Sequence, residues 1–211
     1  MRGTVKCRAL IAAGILLLGL IGVSRIDLTP NALSIEVLAP EQEDAYQVYY
    51  DLGRGLNEED SIRARIRPGR QRVTLHFFEF PAREIISFRI DPGTHAGEIR
   101  IASIRLQHEF HRIGLRILLH EWSGAGLIAD FTPLHHLRDF TLTDQGLALT
   151  STGEDPYFAY RGDWQTTLDS AAKASRRFSL ILYGACLFFA AAIYVILPLR
   201  GVQRFRFSRM G

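Results

Sequence analysis

The run Glu84-Ile-Ile-Ser-Phe-Arg-Ile-Asp-Pro-Gly93, followed closely by Glu98-Ile-Arg-Ile-Ala-Ser-Ile-Arg-Leu106, decides the fold class of this 211-residue chain. Apolar and polar residues largely alternate in both segments, which is the pattern of a strand with one buried face. Asp91-Pro-Gly93 stands between them, and this tripeptide is a strong turn signal. The two segments therefore predict two consecutive strands.

Similar short runs precede this region, and turn signals separate them. Four further strands are predicted: Leu33–Leu38, Tyr46–Asp51, Ser61–Ile66 and Arg72–Phe80. Six strands at this spacing, without intervening helices, predict an all-β antiparallel sandwich. Residues 107–137 fit a strand or a helix equally well. Beyond them the sequence predicts a hairpin around Asp144–Gly146, a last strand at Tyr157–Tyr160 and a short helix after Trp164.

Two long uncharged runs flank the predicted strands. Residues 178–199 would form a helix roughly 33 Å long, enough for a hydrocarbon core of about 30 Å. A buried core helix is the alternative, but the run has no polar face. The first run, residues 9–24, would be roughly 24 Å long as a helix. We interpret it as an uncleaved anchor because no small-x-small site follows it, and a cleaved signal peptide is the alternative.

Charge is distributed in the way expected of a membrane protein. The net charge is +3, yet the two ends outside the apolar runs carry seven basic residues and no acidic ones. Basic flanks of this kind stay on the cytoplasmic side, so both termini are predicted to be cytoplasmic. The pI of about 9.1 therefore comes from the basic ends of the chain. It indicates a lipid bilayer as partner and does not indicate nucleic acid. The central part contains no cysteine, so no disulfide is predicted there.

The predicted organisation has six parts. They are a cytoplasmic N-terminus (1–8), transmembrane helix 1 (9–25), an extracytoplasmic β-sandwich (26–172), a juxtamembrane segment (173–177), transmembrane helix 2 (178–199) and a basic cytoplasmic tail (200–211).

No sequence pattern predicts an enzyme, a metal site or a cofactor site. His108 and His111 could share a helical face with Glu109 or His120 nearby, but no third ligand stands at a recognised metal spacing. Ser123 lacks the first glycine of a nucleophile elbow. The chain also lacks a glycine-rich phosphate-binding loop.

Aromatic and charged residues concentrate around the second predicted strand. Aromatic rings beside charged hydrogen-bonding groups are what a saccharide requires of a binding surface. The predicted ligand-binding residues are Tyr49, Tyr50, Arg54, Glu58, Glu59, Asp91 and His95. The alternative is that the tyrosines fill the core. Because adjacent strand residues point to opposite faces, one of Tyr49 and Tyr50 is expected in the core and the other at the surface.

Residues 47–61, 83–93, 97–106 and 150–156 together resemble an extracytoplasmic galactose-binding-like jelly-roll domain. Such domains accompany bacterial membrane glycosyltransferases and other envelope-polysaccharide proteins. The resemblance implies a jelly-roll sandwich in the bacterial inner membrane, with its main domain periplasmic or extracellular, and saccharide contacts at the loops of one end. No multi-spanning catalytic region is attached here.

Two functions follow as hypotheses. The first is a non-catalytic accessory protein for cell-envelope glycan synthesis or export, which contacts a saccharide or a membrane glycosyltransferase or transporter. The second is a structural assembly subunit of a membrane protein complex without a ligand of its own.

The charge pattern predicts that residues 26–172 lie outside the cytoplasm. A cysteine placed at Thr94, in a chain without its two native cysteines, should react with a membrane-impermeant maleimide in intact cells. Labelling that requires the cytoplasm to be opened would contradict this topology.

Overall fold

The computed structural model describes residues 2–26, 28–38, 43–76, 82–153 and 155–201. The chain divides into two compact units. One unit consists of residues 1–27 and 175–211 and is helical in its described part, and the other extends from Leu28 to Ala174. The second unit consists mostly of antiparallel strands, and we call it the β unit.

The described residues form eleven strands, two short helical segments and two long helices. The strands are β1 (Ala32–Val37), β2 (Asp44–Asp51), β3 (Ser61–Ile66), β4 (Gln71–His76), β5 (Ser87–Asp91), β6 (Gly97–Phe110), β7 (Leu115–Ser123), β8 (Phe131–His135), β9 (Leu137–Thr143), β10 (Gly146–Ser151) and β11 (Tyr157–Tyr160). The helices are α1 (Arg2–Ser24), a 3₁₀ turn (Ala82–Glu84), α2 (Ala125–Asp130) and α3 (Trp164–Gly201).

The strands that the structure describes form two antiparallel sheets. The first sheet has the order β4-β1-β6-β10-β9, and β7 pairs with the C-terminal half of β6. The second sheet has the order β3-β2-β5-β11-β8. Most of these neighbours are distant in sequence, so the order depends on long-range pairing.

Aromatic rings from both sheets meet in the core, which makes the arrangement sandwich-like. The ring of Phe88 on β5 lies 6.2 Å from that of Trp122 on β7, measured between centroids. Phe131, Tyr160 and Trp164 surround the same Phe88 ring at 5.9, 5.1 and 5.5 Å. Edge-to-face and offset contacts of this kind add to the free energy gained by burying the rings.

The chain enters the β unit at one end of the sheets. The side-chain amide of Asn31, just before β1, donates to the carbonyl of Glu109 at 3.1 Å and accepts from the N–H of Glu109 at 2.7 Å. The chain leaves from the same end, where the indole N–H of Trp164 donates to the carbonyl of Ala82 at 2.9 Å. The buried hydroxyls of Tyr160 and Thr167, 2.7 Å apart, hold the next turn of α3.

Two sets of loops close the two ends of the β unit. The loop of residues 52–60 and the turn of residues 111–114 lie where the chain enters and leaves, and we call this the entry end. The turns of residues 67–70 and 92–96 lie at the opposite end, which we call the far end. The short turn at 67–70 joins β3 of one sheet to β4 of the other, so the two sheets share these ends.

The helical unit presents apolar side chains on its surface. One described helix, residues 164–196, is long and apolar enough to cross a membrane, whereas the apolar part of α1, residues 9–24, is shorter. Leu180, Ile181 and Phe188 are 68%, 67% and 70% exposed. Such exposure is typical of a lipid-facing helix and not of a buried core helix. Within this unit Gly19 faces Cys186, and an added Cβ would lie 2.9 Å from the sulfur.

The predicted β-rich fold is confirmed, and several predicted boundaries change. The ambiguous residues 107–137 form mainly strands, because β6 continues to Phe110 and pairs with β7. The predicted strand from Glu84 starts only at Ser87, after the 3₁₀ turn. The fourth predicted strand is present to His76, and residues 77–81 lie outside the described part.

The Phe88 ring should be essential for stability. We expect Phe88→Ala to lower the free energy of unfolding by about 3–5 kcal/mol, because a large ring is lost from a closed core. Urea unfolding of the full chain in detergent, followed by tryptophan fluorescence, measures this loss. Leu142→Ala, at a side chain 41% exposed, is the matched control and should change the value by at most about 0.5 kcal/mol.

Candidate functional site

The register between β2 and β5 separates the two neighbouring tyrosines. Tyr50 lies opposite Phe88 and faces the core, where it is 1% exposed. Tyr49 lies opposite Arg89 on the outer face of the second sheet. One tyrosine therefore belongs to the core, as predicted. The other is on the surface side, yet it is only 7% exposed because neighbouring side chains cover it.

Arg89 is the centre of the outer face. Its guanidinium carbon lies 4.4 Å from the centroid of the Tyr49 ring and 4.2 Å from that of Tyr157 on β11. The guanidinium also donates two hydrogen bonds to Asp91, at 2.9 and 2.8 Å. A guanidinium between two aromatic faces combines cation–π attraction with a bidentate ion pair. We call Tyr49, Glu58, Arg89, Asp91 and Tyr157 the Arg89 cluster.

Glu58 reaches from the entry-end loop onto this face. Its carboxylate accepts a hydrogen bond from the Tyr49 hydroxyl at 2.6 Å and another from the Gln47 amide at 2.8 Å. The side-chain oxygen Oε1 of Gln47 in turn accepts from the guanidinium of Arg63 on β3, at 2.8 and 3.1 Å. The network connects β3, β2 and the loop, so it stabilises the loop on the sheet.

Ring stacking continues the cluster toward β8. The His135 ring lies nearly parallel to that of Tyr157, with centroids 5.5 Å apart and an interplanar angle of 19°. The exposed His136 ring lies 3.8 Å from His135. Rings and the guanidinium thus cross four neighbouring strands from β2 to β8.

Burial and hydrogen bonds shift the pKa values of the acidic groups in the cluster. Desolvation raises the pKa of Asp91 to about 6, and the ion pair with Arg89 offsets only part of this effect. Desolvation and the hydrogen bond to Glu58 raise the pKa of Tyr49 to about 12. The same bond, with that from Gln47, lowers the pKa of Glu58.

Two of the predicted ligand-binding residues lie elsewhere in the entry-end loop. Arg54 donates to both carboxylate oxygens of Asp60 at 2.8 Å, and Asp60 is nearly buried. Glu59 is exposed in the same loop. The Arg54–Asp60 pair stabilises the loop, so Arg54 has a structural partner close by.

His95 lies at the far end and does not join the residues of the 52–60 loop. Its ring nitrogen is 2.9 Å from the carboxylate of Asp44. Burial alone would raise the pKa of Asp44, but this bond and those from the N–H groups of Ala45 and Thr94 lower it. Gly93, at φ +109°, allows the close approach, since a Cβ there would clash with Asp44. The 52–60 loop and the 92–96 turn, which both hold predicted ligand-binding residues, therefore lie at opposite ends of the β unit.

A small cavity lies beside His95, lined also by Asp44, Tyr46 and Ile66. Its volume is about 60 Å³, whereas sites for small molecules usually enclose about 300 Å³ or more. The cavity therefore fits a few water molecules better than a sugar ring.

A histidine–carboxylate group at the entry end is the arrangement most like a metal site among the described residues. The possible ligand atoms of His76, Glu109 and His111 lie within 4.8 Å of one another. However, Arg116 donates to the same Glu109 oxygen that His76 contacts, both at 2.9 Å. A guanidinium at this distance would repel a bound cation, so the charges favour a hydrogen-bonded network that ties β4 to β7.

Sequence reasoning missed four residues of this face: Gln47, Arg63, Arg89 and Tyr157. Alternation along β2 and β5 places Gln47, Tyr49, Arg89 and Asp91 on one face, and this signal was present in the sequence. Tyr157 had no such signal, because its position beside Arg89 depends on the pairing of β11 with β5. His76 was likewise missed because it is 33 residues from Glu109.

Comparison with protein-family models, with curated proteins and with solved structures gives no match for this chain. Function is therefore inferred from the geometry of the chain itself.

The raised pKa of Asp91 predicts a specific pH dependence. Between about pH 4 and pH 6 the unfolded chain has released this proton while the folded chain retains it, so stability falls as pH rises through this window. The free energy of unfolding of the native chain, minus that of Asp91→Asn, should decrease by roughly 2–3 kcal/mol from pH 4 to pH 7.

Urea unfolding at a series of pH values measures this difference. Glu98→Gln is the control with opposite sign, because Arg100 lowers the pKa of Glu98. An Asp91 difference that stays flat or increases with pH would contradict the assignment.

Proposed function

We propose that the protein is a non-catalytic, membrane-anchored assembly subunit whose β unit lies outside the cytoplasm and contacts another protein. In this proposal α1 and the apolar part of α3 both span the membrane, and both termini are cytoplasmic. The β unit is a jelly-roll-like sandwich that presents the outer face of its second sheet.

The exposed apolar surface of the helical unit supports the membrane anchor. Leu180, Ile181 and Phe188 would face lipid, where their exposure has no hydrophobic cost. The seven basic residues at the two ends of the chain support the cytoplasmic placement of the termini.

The position of Arg89 favours a protein over a saccharide as the partner. A sugar ring would stack on an exposed aromatic face. Arg89 instead lies between Tyr49 and Tyr157, at 4.4 and 4.2 Å, and covers the face of each ring that is turned toward it. The carboxylates of Glu58 and Asp91 already accept hydrogen bonds from Tyr49 and Arg89 of the same chain. Such a face is pre-organised, as protein interfaces commonly are.

We take the proposed biological setting, the synthesis or export of cell-envelope glycan, from the resemblance to galactose-binding-like domains. By that likeness the partner would be a membrane glycosyltransferase or a transporter of cell-envelope glycan. This part of the proposal rests on strand and turn patterns in residues 45–106 and 146–158.

Photo-crosslinking tests the partner. We expect a benzoylphenylalanine at His135, exposed on the outer face, to form a light-dependent adduct with one membrane protein in cells of the source organism. Mass spectrometry should identify that protein as a glycosyltransferase or transporter subunit. Leu142, exposed on the first sheet, is the control position and should give no such adduct.

Saccharide binding would contradict the choice of partner. If the full chain in nanodiscs binds an envelope oligosaccharide saturably, and Tyr157→Ala abolishes binding without changing the unfolding midpoint, the outer face is a saccharide site.

A further inference from the structure

We propose that the entry end of the β unit is a lipid-contacting surface that inserts apolar side chains into the headgroup region of the membrane. This inference rests on the proposed membrane anchor. It extends that proposal, because it assigns a binding role to loops of the β unit itself.

Four of the seven exposed large apolar side chains that the structure describes in the β unit lie at the entry end. Leu56 in the 52–60 loop is 43% exposed, Ile86 before β5 is 60% exposed, and Ile113 and Leu115 at the β6–β7 turn are 72% and 46% exposed. The far-end turns 67–70 and 92–96, which are fully described, carry no exposed large apolar side chain, and the β8–β9 connection at that end adds one, Leu134 at 59%. Scattered apolar residues are ordinary on a protein surface, but this asymmetry between two ends is not.

The β6–β7 turn combines apolar and basic residues in the way that suits a lipid surface. Its sequence is His111-Arg-Ile-Gly-Leu-Arg116, and Arg112, Ile113 and Leu115 are exposed. Gly114, at φ +63°, permits the tight reversal that places Ile113 at the tip. Basic side chains beside a protruding apolar residue bind anionic headgroups while the apolar group enters the acyl boundary.

Hydrogen bonds hold the β6–β7 turn in one conformation, so little conformational entropy would be lost when its side chains bind lipid. The N–H groups of Ile113 and Gly114 donate to the carbonyl of Phe110 at 3.1 and 2.9 Å. Arg116 is bound to the buried Glu109, whose backbone is tied to Asn31.

The segments that join the β unit to α1 and α3 indicate what lies nearest to the entry end. Leu28, the first residue of the β unit, follows Ser24, the last residue of α1, by four positions. Four Cα–Cα steps span at most about 14 Å. Asn31, before β1, and Trp164, at the start of α3, are both fixed at the entry end. Fourteen residues of α3, roughly 21 Å of helix, separate Trp164 from the predicted span that begins at residue 178. If α1 crosses the membrane, this short connection keeps the bilayer surface within reach of the entry-end loops, so we propose lipid as the partner of this end.

Depth measurements on the full chain test the proposal. In a chain with Cys7→Ser and Cys186→Ala, single cysteines at Ile113 or Leu56 would carry a nitrobenzoxadiazole label. The chain would be placed in nanodiscs of phosphatidylcholine and phosphatidylglycerol. We expect a blue-shifted emission and quenching by shallow doxyl lipids, since such groups lie roughly 5–10 Å into the interface. Thr94→Cys at the far end is the matched control and should show neither effect.

Each other outcome overturns the inference. Labels at Ile113 and Leu56 that remain in water show that the entry end does not touch lipid. A blue shift without lipid quenching shows that protein covers these side chains, and equal quenching at Thr94 shows no preference for the entry end. In all three cases the chain still enters the nanodisc. A chain that does not enter the nanodisc contradicts the membrane anchor itself.

Discussion

The antiparallel register between β2 and β5 is the constraint on which the rest of the β unit depends. It places Tyr50 opposite Phe88 inside the sandwich and Tyr49 opposite Arg89 outside it. A shift by one residue would exchange the two faces, burying the guanidinium and exposing the aromatic rings. The core and the outer face are therefore set by one pairing, and neither can change without the other.

The outer face shows how a buried charge is accommodated in this sheet. Asp91 is 8% exposed, and the pKa raised to about 6 reflects the cost of keeping its carboxylate ionised there. Arg89 offsets part of that cost through two hydrogen bonds, and its own charge is stabilised by the rings of Tyr49 and Tyr157. Removal of either partner of such a pair would leave an uncompensated buried charge, so Arg89 and Asp91 hold each other in this arrangement. A face of fixed shape is compatible with the proposed role as a surface that contacts another protein.

The two ends of the β unit differ in the same way that their proposed environments differ. The entry end holds both chain connections and most of the exposed apolar loop residues, including Ile113. The far end holds the His95–Asp44 pair and a small cavity. In the proposed tethering the entry end would meet lipid and the far end solvent or a partner protein, and the difference between the two ends supports that proposal.

The sequence by itself determined the β-rich class, the positions of most strands and the long apolar helix, since period-two alternation and an uncharged run are local properties. Alternation also determined that Tyr49 and Tyr50 face opposite sides. The tertiary structure alone decided which was which, because the alternation does not say where the second sheet packs. Strand order, set by long-range pairing, brought Tyr157 to Arg89 and His76 to Glu109, and it separated the 52–60 loop from His95. No local pattern encodes these neighbours, because each contact joins segments that only the packed core holds together.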